Sequence, residues 1–285
     1  MRVSINWIKD YVDLSGIEVD ELVKRFNLST AEIEDVEIKG ADIENVVFGK
    51  ILKIEKHPET DHLHVMQVDV GEETIQILTS ATNIYEGMVT AVCRVGGNVH
   101  GVKIKPTKMV GIESCGMCCS EAELGVGSDD EGLIDIKEPV KIGQDIKEAW
   151  PIDDVVLEID NKSLTNRPDL WGHYGIAREF AAIFNRKLKA VPVEDLKQYE
   201  KLSEVPVAIH TENCFRYSAL TVDNITAKKS PREMAIRLIY AGMRDINLLA
   251  DLTNYVMLDL GLPMHAFDNK IVDGINVIEA DDNTV

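Results

Sequence analysis

The chain has 285 residues, 45% of them hydrophobic, which suffices for two or three packed domains, and a net charge of −19. That charge excludes nucleic-acid binding by a uniformly basic surface, because phosphate contacts need local positive charge. There is no apolar run of about 18 residues to span a membrane, and Asn6, Lys9 and Asp10 interrupt the N-terminus where a signal peptide would carry an apolar stretch.

The first 38 residues read as mainly helical. Val19, Leu22, Val23 and Phe26 recur at helical spacing, and Thr30, Ala31, Ile33 and Val36 begin a different rhythm. From Lys39 to Trp150 the chain reads as strands. VVFGKILKIE, LHVMQVDV, ETIQILTSA, MVTAVCRVG and KIKPTKMVG are short, rich in β-branched residues and punctuated by glycine, and they predict a small five-stranded barrel. Helical spacing returns with Ile176, Phe180, Ile183 and Phe184. Arg186 to Pro206 reads as a charged linker, and Ser230-Pro231-Arg232-Glu233 fits a capping box ended by Gly242.

Within LHVMQVDV, Leu63 and Val65 should face the core and His62 and His64 the opposite side, with an extra residue between Val65 and Val68 making a bulge. His57, Asp61, His62 and His64 give no clean tetrahedral zinc set; a solvated barrel face and a partner-binding face both remain open. Cys115 and Cys118 form a single CxxC without a second pair, so the five cysteines read as structural thiols in a reducing compartment. GVGSDDEG reads as a turn and not as a calcium loop.

Charge by region is more informative. No acid lies between Glu86 and Glu113, while Arg94, Lys103, Lys105 and Lys108 do. Lys103 and Lys105 alternate with Ile104 and share an outer face. Two readings stand: a solvated edge guarded by lysine, or a groove that follows a phosphate backbone.

HPETDHLHVMQVDVG (57–71), ATNIYEGM (81–88) and VKIKPTKMVGIESCGMCCSEAELGVG (102–127) resemble the tRNA-binding oligonucleotide-fold module of tRNA synthetases. With MRVSINWIKDYVDL at the start, LTNRPDLWGHYGIAREFAAIF at 164–184 and LADLTNYVMLDLGLPMHAFD at 249–268, the chain resembles the β subunit of bacterial phenylalanyl-tRNA synthetase throughout. It departs from that family at Thr79-Ser80-Ala81, where a cysteine-glycine-alanine turn is usual, and at Cys115 and Cys118; Cys119 falls where the family has cysteine.

The resemblance implies an α+β multidomain protein. A discontinuous helical domain (1–38 with 151–190) would carry an inserted OB-fold barrel (39–150), followed by the start of an α/β editing domain (191–285). It implies a piece of a longer cytoplasmic subunit, which pairs with an α subunit as a heterotetramer of two α and two β. That holoenzyme joins phenylalanine to tRNA(Phe) using ATP and Mg²⁺; no cofactor is expected on this chain. Candidate RNA-binding residues are Arg94, Lys103, Lys105, Lys108, His62 and His64. By resemblance Thr253, Asn254 and His265 line part of a site that hydrolyses mischarged tyrosyl-tRNA; this piece alone is expected to be inactive. Read without the family, Thr253 and Asn254 are local backbone-bonding residues and His265 belongs to a packed loop. The competing function is a stand-alone, non-catalytic RNA-binding or docking module.

Overall fold

A computed structural model describes residues 1–280; the last five residues of the expected editing segment, 281–285, lie outside them. In chain order come β1 (Arg2–Ser4), α1 (Ile5–Lys9), α2 (Val19–Ser29) and β2 (Ile33–Lys39). Strands β3 (Glu44–Lys56), β4 (His64–Asp69), β5 (Thr74–Thr79), β6 (Val89–Val99), β7 (Val102–Lys103), β8 (Thr107–Met109), β9 (Ile112–Ser114) and β10 (Gly116–Cys118) follow. Then come α3 (Ile146–Ala149), β11 (Asp154–Ile159), α4 (His173–Ile183), β12 (Val207–Ile209), α5 (Arg232–Tyr240), α6 (Leu248–Leu260) and β13 (Ile275–Val277).

The two ends of the first module share one core. β11 lies between β1 and β2 in an antiparallel three-stranded sheet, and α1, α2 and α4 cover it. Val3, Leu22, Phe26 and Ala31 pack against Leu157, Leu170, Ile176 and Phe180. The expectation of a mainly helical segment over 1–38 therefore needs correction. Ile33–Lys39 is a strand because its β-branched and charged residues pair in register with β11, from Lys39–Asp154 to Asp35–Glu158. Ser4 ends β1 and caps α1, its Oγ accepting from the Trp7 N–H at 3.0 Å. Arg167 makes a tight corner: it grips Asp169 through two bonds of 2.9 Å and reaches Glu179 at 3.1 Å.

The strand block forms a six-stranded sheet ordered β10-β6-β3-β4-β5, with β7 on β6. Both faces of β3 are buried. Val47 and Ile51 join Met66, Val68, Ile77 and Val92 in one cluster, while Val46 and Phe48 join Trp150, Ile152 and Leu124 in another. Gly49 permits this closeness, since a Cβ there would sit 2.5 Å from a Val92 methyl. No strand ladder closes β5 onto β10 among the described residues. The two edges are joined by the Cys115 N–H donating to Gln76 O at 2.8 Å and the Leu78 N–H donating to Ser114 Oγ at 3.1 Å.

Three local expectations change. β4 pairs with β5 without interruption, and the register shift sits in β3 between Ile51 and Lys53. The core face of β4 is thus Met66 and Val68, continued by Val70, and His64 shares its parity. The expectation that His64 points outward is reversed, because Met66, not Val65, keeps the period of two. KIKPTKMVG is two strands rather than one: Pro106 has no N–H for a ladder and separates β7 from β8. The capping box does not form either, since Ser230 Oγ donates to Asp251 and Glu233 pairs with Arg237 at 3.0 Å.

Residues 186–206 are largely exposed, with one short 3-10 turn at Leu196–Tyr199. Beyond them β12 and β13 pair in parallel. α5 packs Ile236 and Tyr240 into the Phe48–Trp150 cluster, and Tyr240 OH donates to Ile152 O at 2.8 Å. No helix among the described residues is long and apolar enough to cross a membrane.

Candidate nucleic-acid interface

Lys103, Lys105 and Lys108 are exposed and carry no ion pair among the described residues. Ile104 between the first two is buried. Its backbone is fixed to β6 by bonds of 2.9 Å to Gly96 and Gly97, so the two lysines project from a rigid edge. Lys108 lies on the β8–β9 hairpin opposite Glu113. The base of that hairpin is tied to β5, where Gln76 Nε2 donates to Glu113 O at 2.8 Å. The structure thus brings the three lysines onto one continuous stretch of chain.

Arg94 has a different setting. It is half-buried, its Nε donates to Asn45 Oδ1 at 2.9 Å, and it lines a shallow hollow of about 300 Å³ with Asn45, Glu73, Ile75, Val95 and Cys115. His62 is exposed near the β3–β4 connection. His64 is half-buried, with Nδ1 enclosed and unpartnered. No hydrogen bond or ion pair links either histidine to the lysines among the described residues. His57 is buried; its Nδ1 accepts from the Glu59 N–H at 3.1 Å, and its Nε2 has no partner.

Neither the histidines nor the cysteines converge as metal ligands among the described residues; the one carboxylate or imidazole group with suitable spacing is Asp35, Glu37 and Glu158. Glu37 is already held by Arg2 at 2.6 Å and by Lys39. Hydrogen bonds from these two cations lower its pKa to about 2. All five cysteines are free; burial pushes Cys118 up to about 12 and Cys93 to about 11, as expected of structural thiols.

Thr253 and Asn254 lie on α6. Thr253 Oγ1 donates to Ala250 O at 2.8 Å, a bond within the helix. Asn254 is half-buried. His265 is exposed in the segment after α6, with its ring centroid 6.3 Å from that of Phe267. The same helix is anchored by Asp251, a buried carboxylate that accepts from Ser230 Oγ and from the Ile246 N–H at 2.8 Å.

Two family models match. One described as "Putative tRNA binding domain" covers residues 46–145, and a "B3/4 domain" covers residues 213–284. The phenylalanine–tRNA ligase beta subunit of Clostridium acetobutylicum is 40% identical over 98% of this chain and 36% of its own length. Those of Clostridium tetani and Fusobacterium nucleatum are 42% and 38% identical over the same share of this chain and 35% of theirs. Nearly the whole chain is thus similar to the N-terminal third of phenylalanine–tRNA ligase beta subunits.

It spans about a third of the length of these relatives. All six candidate RNA contacts fall inside the tRNA-binding match, and Thr253, Asn254 and His265 fall inside the B3/4 match. What sequence reading missed is how α6 is mounted. Trp7, Tyr11, His173, Arg237, Tyr255 and Asp259 come from four helices and the turn after α1 to form one polar and aromatic network. No short-range spacing signals it.

Proposed function

We propose that this chain contributes tRNA binding to a phenylalanine–tRNA ligase, through the outer face that carries Lys103, Lys105 and Lys108. The observation behind this is three exposed, unpaired lysines on a rigid edge, in a stretch without acids, within a chain of net charge −19. Such a local field attracts phosphate where the rest of the surface repels it. Arg94 supplies a more constrained contact beside it, and exposed His62 a peripheral one. The curled sheet over 39–150 is best understood as an OB-fold barrel drawn together at Gln76 and Cys115. It is inserted into a discontinuous module made of 1–38 and 151–190, and 191–285 forms part of an editing domain.

The holoenzyme activity that follows is ATP-dependent attachment of phenylalanine to tRNA(Phe) in the cytoplasm, with the aminoacylating α subunit as partner in a tetramer of two α and two β. The one carboxylate group with metal-ligand spacing among the described residues is a poor fit for Mg²⁺, because Arg2 and Lys39 already hold its Glu37.

Thr253, Asn254 and His265 are assigned to part of a site for hydrolysing tyrosyl-tRNA. The need is physical, because a pocket for phenylalanine discriminates weakly against a ring that merely adds a hydroxyl. Asn254 and His265 are the two whose polar groups the fold leaves available to a substrate or water, while the Thr253 hydroxyl would have to leave Ala250 O.

The test is a titration of tRNA(Phe) across a salt series against the chain and its K103A/K105A/K108A variant. The slope of log affinity against log salt should fall by about two to three for the variant, roughly one counterion for each lost cation. Unchanged affinity and slope would reject this face.

A further inference from the structure

The turn joining β8 to β9 carries a feature that the fold does not require. Met109 and Ile112 face each other across the ladder, which leaves Val110 and Gly111 as the whole loop. Their φ angles are +46° and +84°. A two-residue turn of this kind needs the left-handed region at both positions, and asparagine, aspartate or glycine normally supply it. Gly111 is at ease there. Val110 is not, because a branched Cβ crowds the backbone at positive φ. Burial does not compensate: Val110 is 50% exposed and Met109 beside it 37%.

The surroundings say what such a tip meets. Lys108 precedes it, Lys105 and Lys103 lead into the hairpin, and Val102 beside them is 60% exposed. The arm is firm, since its base is bonded to β5 through Gln76–Glu113 and Leu78–Ser114. An apolar point on a rigid β-arm, flanked by cations that hold phosphates, has the chemistry to contact the faces of unstacked bases.

We propose that Val110, with Met109, is an apolar wedge that packs against unstacked bases of the tRNA held by Lys103, Lys105 and Lys108. This rests on the reading of the lysine face as RNA-binding. The wedge adds affinity without releasing counterions, so it leaves the salt slope alone, whereas the lysines set that slope.

The variants that test it are Val110→Gly and Val110→Asn. Both residues suit the left-handed turn, so the hairpin forms and the melting temperature should not fall. With a tRNA(Phe) transcript, affinity should drop about tenfold at every salt concentration, the cost of leaving one apolar side chain uncovered, at unchanged slope. A continuous RNA duplex of similar length, which offers no open base faces, should bind parent and variants alike. Parent binding that weakens with salt while the variants match it overturns the wedge and leaves the lysine face standing. Parent binding that is absent or insensitive to salt overturns both. A loss accompanied by a changed slope, or an equal loss on the duplex, overturns the wedge as well, because the tip would then act through the lysines or the backbone.

Discussion

Trp7 lies flat on His173, with ring centroids 3.9 Å apart and planes 18° apart. Tyr255 stacks on Trp7 too, at 4.2 Å and 24°. His173 Nε2 accepts the Ser4 N–H at 3.0 Å and its Nδ1 donates to Leu258 O at 2.8 Å, which defines the neutral tautomer. Trp7 Nε1 and Tyr11 OH both donate to Asp259, at 2.9 and 2.6 Å. Arg237 donates to Tyr255 OH at 3.0 Å and pairs with Asp10. The helix that carries Thr253 and Asn254 is thereby fixed to the first module. Residues 251, 255, 258 and 259 share the docked face, and at 3.6 residues per turn Thr253 points away from it.

This network makes stability depend on pH. Burial pushes the His173 pKa down from 6.5 to about 4, opposed by its bond to Leu258 O and assisted by Arg237. Above pH 6.5 the ring is neutral in the folded and unfolded chains alike, so it adds no pH dependence. Between 6.5 and about 4 the unfolded chain takes up a proton that the folded one refuses, and stability falls with falling pH, by about 3 kcal/mol over the full window. Denaturant titrations of the parent and H173N from pH 7 down to 4.5 should show this part of the acid loss in the parent and not in the variant. Parallel curves would mean that His173 is not a buried neutral base.

Gly175 should answer the helix-propensity rule with the wrong sign. Glycine to alanine inside a helix ordinarily stabilises by about 0.5–1 kcal/mol. Gly175 lies within α4, but a Cβ there would stand 1.7 Å from Asp169 O and 3.2 Å from Leu170 Cα. Neither is the movable end of a side chain. G175A is expected to destabilise by about 3 kcal/mol or more, through overpacking against the Arg167 corner. A melting temperature at or above the parent's would show that the corner yields.

Structural support and the proposed editing residues separate around α6. Asp251 is buried and accepts two bonds, so D251A should cost about 2–4 kcal/mol by stranding Ser230 Oγ and the Ile246 N–H. N254A and H265A remove groups with no such structural role and should stay within about 0.5 kcal/mol of the parent. Thermal melts of the three variants check this. Large destabilisation by H265A would place that ring in packing and count against its assignment to hydrolysis.

How much of this was legible depended on the range of the contacts. Val19–Phe26 and Ile176–Phe180 became helices because their apolar spacing is local, and Ile104 turned inward between two lysines for the same reason. Ile33–Lys39 did not read as a strand, because its partner β11 lies more than a hundred residues away. The face of β4 was misassigned because Leu63 and Val65 look like a core pair until Met66 is seen to fill the interior. Ser230 looked like a cap in the local frame and was claimed by Asp251 on another helix. At the candidate site the lysine stretch was readable as charge along the chain. The strain at Val110 was not, since φ appears only once the turn is closed.

The cysteines give the most direct check on the packing of SCGMCCS. Cys93, Cys118 and Cys119 are buried, and burial raises all three thiols above their ordinary range, Cys119 with a further push from Cys118. The thiolate is the reactive form, so these three are protected by both access and ionisation. Cys115 and Cys214 are half-buried. Maleimide labelling of the folded chain at neutral pH, counted by mass spectrometry, should modify Cys115 and Cys214 within minutes and the other three only after denaturant is added. Cys115 marks the place where the edge of β5 meets the start of β10, since its N–H bonds Gln76 O. Equal labelling of Cys118 in the folded state would mean that this seam is open, and the two edges of the sheet would then lack the junction between Gln76 and Cys115.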